Sequence, residues 1–161
     1  MATLEAAKTW STSVPDRERL IRAAFEAKEY AYCKYSNFRV GAALLSADGT
    51  IIKGANVENA SYGGTICAER TAIVKAVSEG IKAFVALAVV TDVPSPISPC
   101  GICRQVLREF CALNMPVLLV PANYDALAAE GRPGGGVLVS SIEELLPHSF
   151  GPEHLELARR S

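Results

Sequence analysis

Two short apolar runs, Phe84 to Val90 and Pro116 to Val120, enclose a helical stretch from Gly101 to Leu113. Neither run alternates with polar residues, so each reads as a strand covered on both faces, the first extending to Thr91. Strand, helix and strand in that order form a crossover, which makes the two strands parallel and places helices against the sheet. The rest of the chain supplies the remaining layers. Pro15-Asp16 opens a helix whose apolar stripe is Leu20, Ala23, Ala24, Ala27 and Tyr30/Ala31. Val40 to Ser46 and Thr50 to Val57 flank Ala47-Asp48-Gly49, a strong hairpin signal. A further helix runs from about Ile66 to Glu79 with Gly80 as its stop, and a last strand spans Val137 to Ser140. The expected fold is α/β, a three-layer α/β/α sandwich with a mixed, mostly five-stranded sheet. Residues 1–161 form a single domain in this reading, with a poorly defined segment at 1–15. Residues 122–136, Gly-rich at their end, read as a loop insertion with room for a short helical turn.

Composition narrows the class of partner. The 161 residues carry 16 Lys+Arg against 17 Asp+Glu, a net charge of −1, which argues against coating a nucleic acid. No apolar run approaches the ~20 residues of a membrane span, and the first residues lack the basic and apolar order of a secretion signal. A cytoplasmic address and a small or uncharged partner are the expectation. Five cysteines, an odd number without a signal peptide, argue against a disulfide framework and for metal or catalysis.

Placement divides the five. Cys100 and Cys103 lie in Pro99-Cys100-Gly101-Ile102-Cys103, where a strand feeds a helix, and Cys67 opens the preceding helix in Cys67-Ala68-Glu69. Helix N-termini favour thiolates. Three thiolates would leave a tetrahedral zinc with one open position, the mark of a catalytic site. The alternatives for the CxxC alone are half of a closed four-cysteine zinc site or a thiol redox pair. Glu69 tips the balance, because a carboxylate two residues past a ligand can reach a water on the metal. Three thiolates leave zinc net negative, and Arg70 is the expected compensating charge. Cys33 and Cys111 read as buried bystanders beside helices, and His148 and His154 fall in the polar tail.

Cys-x-Glu followed by Pro-Cys-x-x-Cys resembles the three-cysteine version of the zinc deaminase signature. The segments Tyr35-Ser36-Asn37-Phe38-Arg39-Val40-Gly41-Ala42-Ala43-Leu44, Asn56-Val57-Glu58-Asn59-Ala60-Ser61-Tyr62, Cys67-Ala68-Glu69-Arg70-Thr71-Ala72 and Ser98-Pro99-Cys100-Gly101-Ile102-Cys103-Arg104-Gln105 narrow the likeness. In that order they resemble the small homotetrameric cytidine deaminases, from about residue 16 to Pro121 and again from Glu143 to Pro152. The resemblance implies hydrolytic deamination of cytidine and 2′-deoxycytidine in pyrimidine salvage, with one zinc per chain on Cys67, Cys100 and Cys103. It makes Glu69 the proton shuttle and sets Arg70 against the ligand sulfurs.

Asn56 and Glu58, two apart on an extended segment, share a face and offer a donor and an acceptor suited to a hydroxyl, although read alone Asn56-Val57-Glu58-Asn59 is an ordinary turn. The resemblance assigns them to the ribose 3′-hydroxyl. It makes Phe38 an aromatic wall beside the base and gives base contacts to the Ala68 N–H and the Ser98 carbonyl. Phe150, Ala60 and Tyr62 are implied to reach a neighbouring subunit's site, so the active site would be shared within a homotetramer. Residues 122–136 are longer than the corresponding family hairpin. A blasticidin-S-type deaminase would share the zinc motifs, but Asn56-Val57-Glu58-Asn59 favours a nucleoside sugar. A nucleic-acid deaminase fits less well, since it usually begins its motif with His, and a structural zinc module would be indifferent to Glu69.

Overall fold

The structure, a computed structural model, describes residues 14–158. Helix α1 (Val14–Lys28) precedes the hairpin β1 (Val40–Ser46) and β2 (Ile51–Ala55). Then come α2 (Ala68–Ser78), β3 (Phe84–Thr91), α3 (Gly101–Phe110), β4 (Pro116–Val120), α4 (Tyr124–Ala129), β5 (Leu138–Ser141), α5 (Ile142–Leu145) and α6 (Pro152–Ala158). The five strands lie in the order β2-β1-β3-β4-β5. β3 and β4 are parallel, paired from Leu87 with Val117 to Val90 with Val120, and every other neighbouring pair is antiparallel. The mixed five-stranded sheet and its parallel centre are those expected from the crossover. Of residues 1–15, Val14 and Pro15 open α1 and the rest lie outside the described residues.

Side-chain alternation along the strands makes the three layers. Ala43, Leu45, Ala86, Ala88, Val90, Leu118 and Val120 face α1 and the buried Tyr124 of α4. Their neighbours Ala42, Leu44, Leu87, Val89, Val117 and Leu119 face the residues of α2, α3 and α5. Burial on both faces explains why β3 and β4 are apolar throughout. Among the described residues no helix is long and apolar enough to cross a membrane.

Two glycines set the distance between helices and hairpin. A Cβ on Gly41 would stand 2.1 Å from the Ala24 carbonyl oxygen of α1, and one on Gly54 would stand 2.4 Å from the Ala68 carbonyl oxygen of α2. Both obstacles are backbone, so neither can swing aside. Gly54→Ala is expected to cost about 1–3 kcal/mol as an overpacked contact. At roughly 2–4 °C per kcal/mol for this size, the thermal midpoint drops by several degrees. An unchanged midpoint in a thermal melt would refute the close seat.

The structure departs from the sequence reading at element ends. α3 stops at Phe110 because Cys111 turns to an extended backbone (φ −113°, ψ 145°). α1 ends at Lys28, so Tyr30 lies past the stripe and is 82% exposed. β2 ends at Ala55; Val57 instead makes isolated bridges to Tyr32 and Ile66. Within residues 122–136 the short helical turn is present as α4, followed by a tight turn at Pro133–Gly136. Gly135, at φ 63°, lies over the Tyr124 ring, where an added Cβ would come within 2.3 Å. Tyr124 also donates to Glu18 (2.7 Å), and Arg22 forks onto Asp125 (2.6 and 3.0 Å). The insertion is therefore strapped to α1.

Candidate metal centre and active site

The folding of β2, β3 and the two helices that follow brings three sulfurs together. Cys67 and Cys100 are the N-cap residues of α2 and α3, both extended in backbone, and Cys103 lies one turn into α3 with no exposed surface. All three Sγ atoms lie within 4.8 Å of one another, Cys67 and Cys100 at 3.9 Å. Zn–S bonds of about 2.3 Å in a tetrahedron put sulfurs about 3.8 Å apart, so the donor set and its spacing suit zinc. The five cysteines are all free, and Cys33 and Cys111 stand outside this group. Cys111 belongs to the core, where burial pushes its thiol up to about 12. Cys33 differs from expectation, being half-buried beyond α1 rather than in the core.

The electrostatics around the sulfurs fit an anionic cluster. The Cys103 thiol hydrogen-bonds Cys67, which with the Arg70 guanidinium holds Cys67 down at about 5 against the opposing effect of burial. The same contact with Cys67 drives Cys103 upward. Arg70 Nη2 donates to Cys67 Sγ at 3.4 Å, while its Nε is buried with no hydrogen-bond partner. A cation left in that state is balanced by negative charge beside it, which three thiolates on a divalent ion would supply. Glu69 is 5% exposed, and burial raises its carboxyl above the usual range. The Cys103 thiol donates to Glu69 Oε2 at 3.7 Å.

A cavity of about 190 Å³ opens onto this cluster, lined by Cys67, Cys100, Glu69, Phe38, Asn56 and Ser98 among others. Cys67, Cys100 and Glu69 line it together with Val40 of β1 and Val89 and Thr91 of β3, while Cys103 is not among its lining residues. Ala68 is buried in the first turn of α2. Asn56 is buried too; its Nδ2 donates to the Phe38 carbonyl and its Oδ1 accepts from Val40 N–H, each at 2.9 Å. Glu58 lines an adjoining hollow of about 410 Å³ with Tyr35, Ser36, Tyr62 and Thr65. Its carboxylate accepts from the Tyr35 and Ser36 N–H groups and from the Ser36 hydroxyl. Thr65 borders both spaces.

Ala60 is exposed, Tyr62 is 76% exposed and Phe150 is 59% exposed; Ala60 and Phe150 line neither space. The Phe150 backbone is nonetheless held, its carbonyl accepting from Gln105 Nε2 at 3.2 Å. Arg104, which sequence reasoning left without a role, donates to the Pro99 carbonyl (2.6 Å), the Ser98 hydroxyl (2.7 Å) and the Leu145 carbonyl (2.6 Å). Its position four residues after Cys100, facing back along α3, was the available signal.

A donor set suited to zinc beside a buried carboxylate, bordering a small cavity, defines a metal-dependent hydrolytic centre. Residues 14–119 match the family model for the cytidine and deoxycytidylate deaminase zinc-binding region. A cytidine deaminase of Sporosarcina psychrophila is 48% identical over 143 residues, covering 89% of this chain and 97% of that protein. One from Halalkalibacterium halodurans is 49% identical, covering 87% and 98%. The crystal structure of cytidine deaminase from Burkholderia pseudomallei superposes with a TM-score of 0.73 at 45% identity, covering 83% of this chain and 98% of that one. The chain belongs to the cytidine and deoxycytidylate deaminase family.

Proposed function

We propose that this protein hydrolyses cytidine and 2′-deoxycytidine to uridine and 2′-deoxyuridine with release of ammonia. The observation that carries the reading is the buried Glu69 beside three converging thiols, in a cavity walled by Phe38 and Asn56. Cys67, Cys100 and Cys103 would hold one zinc, which when bound lowers the pKa of water and makes hydroxide available near neutrality. Arg70 offsets the negative charge of the thiolates.

Glu69 does the acid and base work. Its carboxylate takes one proton of the attacking water and passes it to ring N3 as oxygen bonds to C4; it then takes the proton of the new C4 hydroxyl and hands it to the amino group as the C4–N bond breaks, leaving a C4 carbonyl and ammonia. Burial favours its protonated form, which suits a group that must give a proton back as readily as it takes one. Phe38 stacks beside the base, while the Ala68 N–H and Ser98 carbonyl meet its polar edges. Asn56 and Glu58 receive the sugar hydroxyl.

The partner is a free nucleoside, with no nucleic acid or membrane involved, and the setting is cytoplasmic pyrimidine salvage. The assembly is a homotetramer in which Ala60, Tyr62 and Phe150 complete a neighbour's site. The exposure of Tyr62 and Phe150 in the single chain supports this.

Incubating zinc-loaded protein with cytidine and following the ultraviolet change on amino loss tests the activity; no turnover would end this reading. Phe150→Ala tests the sharing. An aromatic contact worth about 0.5–1.5 kcal/mol predicts a KM roughly 2- to 12-fold higher. Mixed tetramers of Phe150→Ala and Glu69→Gln chains should regain part of the lost affinity, since each supplies what the other lacks. An unchanged KM removes Phe150 from the site.

A further inference from the structure

Residues 35–40 lead into β1 along the cavity wall, and each of their backbone N–H groups is held. Tyr35 and Ser36 donate to Glu58 Oε2, Asn37 to the Cys33 carbonyl, Phe38 to Ser36 Oγ, Arg39 to Asp92 Oδ2 and Val40 to Asn56 Oδ1. All but one of these acceptors are side-chain oxygens. A segment fixed in this way depends on the side chains that pin it, and Asp92 pins the residue between Phe38 and Val40, both of which line the cavity.

Asp92 follows the last residue of β3. Its Oδ2 accepts from Arg39 N–H (3.0 Å) and Nε (3.1 Å), and its Oδ1 accepts from Arg39 Nη2 (2.9 Å). Lys28 Nζ, from the end of α1, pairs with Oδ1 at 3.2 Å and donates to the Thr91 carbonyl at 3.2 Å. Lys28 is 6% exposed, while the Asp92 and Arg39 side chains remain 26% and 41% exposed, and together they tie α1, β3 and the wall segment. Arg39 also reaches Glu29 at 3.1 Å. On either side of Arg39, Asn56 clips the Phe38 carbonyl and the Val40 N–H. Arg39 thus sits between two clips, and Asp92 fixes the residue that joins them.

We propose that Asp92, acting through Arg39, is a positioning residue that holds the Phe38 ring and the Asn56 amide in place before substrate arrives. The inference rests on the reading of this cavity as the nucleoside site. Asp92 is absent from the residues lining the cavity and from the metal cluster, so its effect passes through the wall. With the wall loosened, substrate must order it on binding, which weakens affinity. The proton transfers depend on Glu69 and the sulfurs, carried by α2 and α3, and are left intact.

The test uses zinc-loaded full-length protein carrying Asp92→Asn or Arg39→Lys, with steady-state kinetics on cytidine and metal analysis. KM should rise about tenfold, equivalent to about 1.4 kcal/mol. The turnover number should stay within about threefold, and zinc content should not change. If Asp92→Asn fails to fold because Lys28 loses its partner, Arg39→Lys decides, since it keeps both charges and removes only the fork. A lowered melting point with unchanged KM in the folded variants would overturn the proposal, as would a turnover number that falls as far as KM rises. Absence of turnover by the unmutated protein would overturn the functional reading and this inference together. Turnover with unchanged KM in the variants overturns this inference alone.

Discussion

Glu69→Gln protein will keep its zinc and lose its rate. A positioned general acid–base typically contributes about 10²–10⁴-fold, and here one carboxylate is asked to serve every proton transfer, so the loss should reach the upper part of that range. Glutamine fills the same space in the first turn of α2 but cannot accept or return a proton. Stability points the other way. Because burial raises the Glu69 carboxyl, its ionised form is disfavoured in the folded protein, and a neutral amide removes that cost. The expected result is a protein that melts no lower than the original, carries the same metal and turns cytidine over at a small fraction of the rate. Turnover within tenfold of the original would remove Glu69 from the chemistry.

Cys103→Ser should be the second severe loss, by a different route. Cys103 is fully buried, with Cys67 and Glu69 against its sulfur. A serine hydroxyl is a poor zinc ligand at neutral pH, since ligand binding requires the deprotonated form. Metal content after dialysis should collapse and activity with it. Cys111→Ser makes the comparison that separates metal binding from packing. That thiol is also buried but stands in the apolar core, so its replacement should lower the melting temperature while zinc content holds. Retained zinc in Cys103→Ser would mean that the cluster is held by other groups.

The three-cysteine cluster was the most legible part of the site, because a Cys-x-x-Cys at a strand-to-helix junction fixes two sulfurs through local geometry alone. Cys67 needed only a helix start to be placed. The strands β3 and β4 were read to the residue, since burial on both faces writes itself as an unbroken apolar run. What sequence could not give were contacts made across the sheet. Nothing in the run Thr91-Asp92-Val93 announces that Asp92 will meet Arg39, 53 positions away. Gly54 looks like any strand glycine until α2 is laid over it. In residues 122–136 the short helical turn was legible, but not the packing of the glycines at 134–136. Gly135 is small because the Tyr124 ring fills the space beneath it, and Ala126-Leu127-Ala128-Ala129 was the helix signal beside them.

The starts of α2 and α3 have one more consequence. Cys67 and Cys100 occupy N-cap positions, and neither side chain accepts a hydrogen bond from its own helix. Serine or aspartate there commonly contributes about 0.5–2 kcal/mol. Both helices therefore forgo the usual anchor at the end that faces the cavity. A metal ion bound by those two sulfurs would act as a common staple for two first turns far apart in the chain. Fraying at one end then becomes linked to fraying at the other, and amide exchange near residues 68–70 and 101–103 becomes a gauge of metal occupancy that needs no substrate.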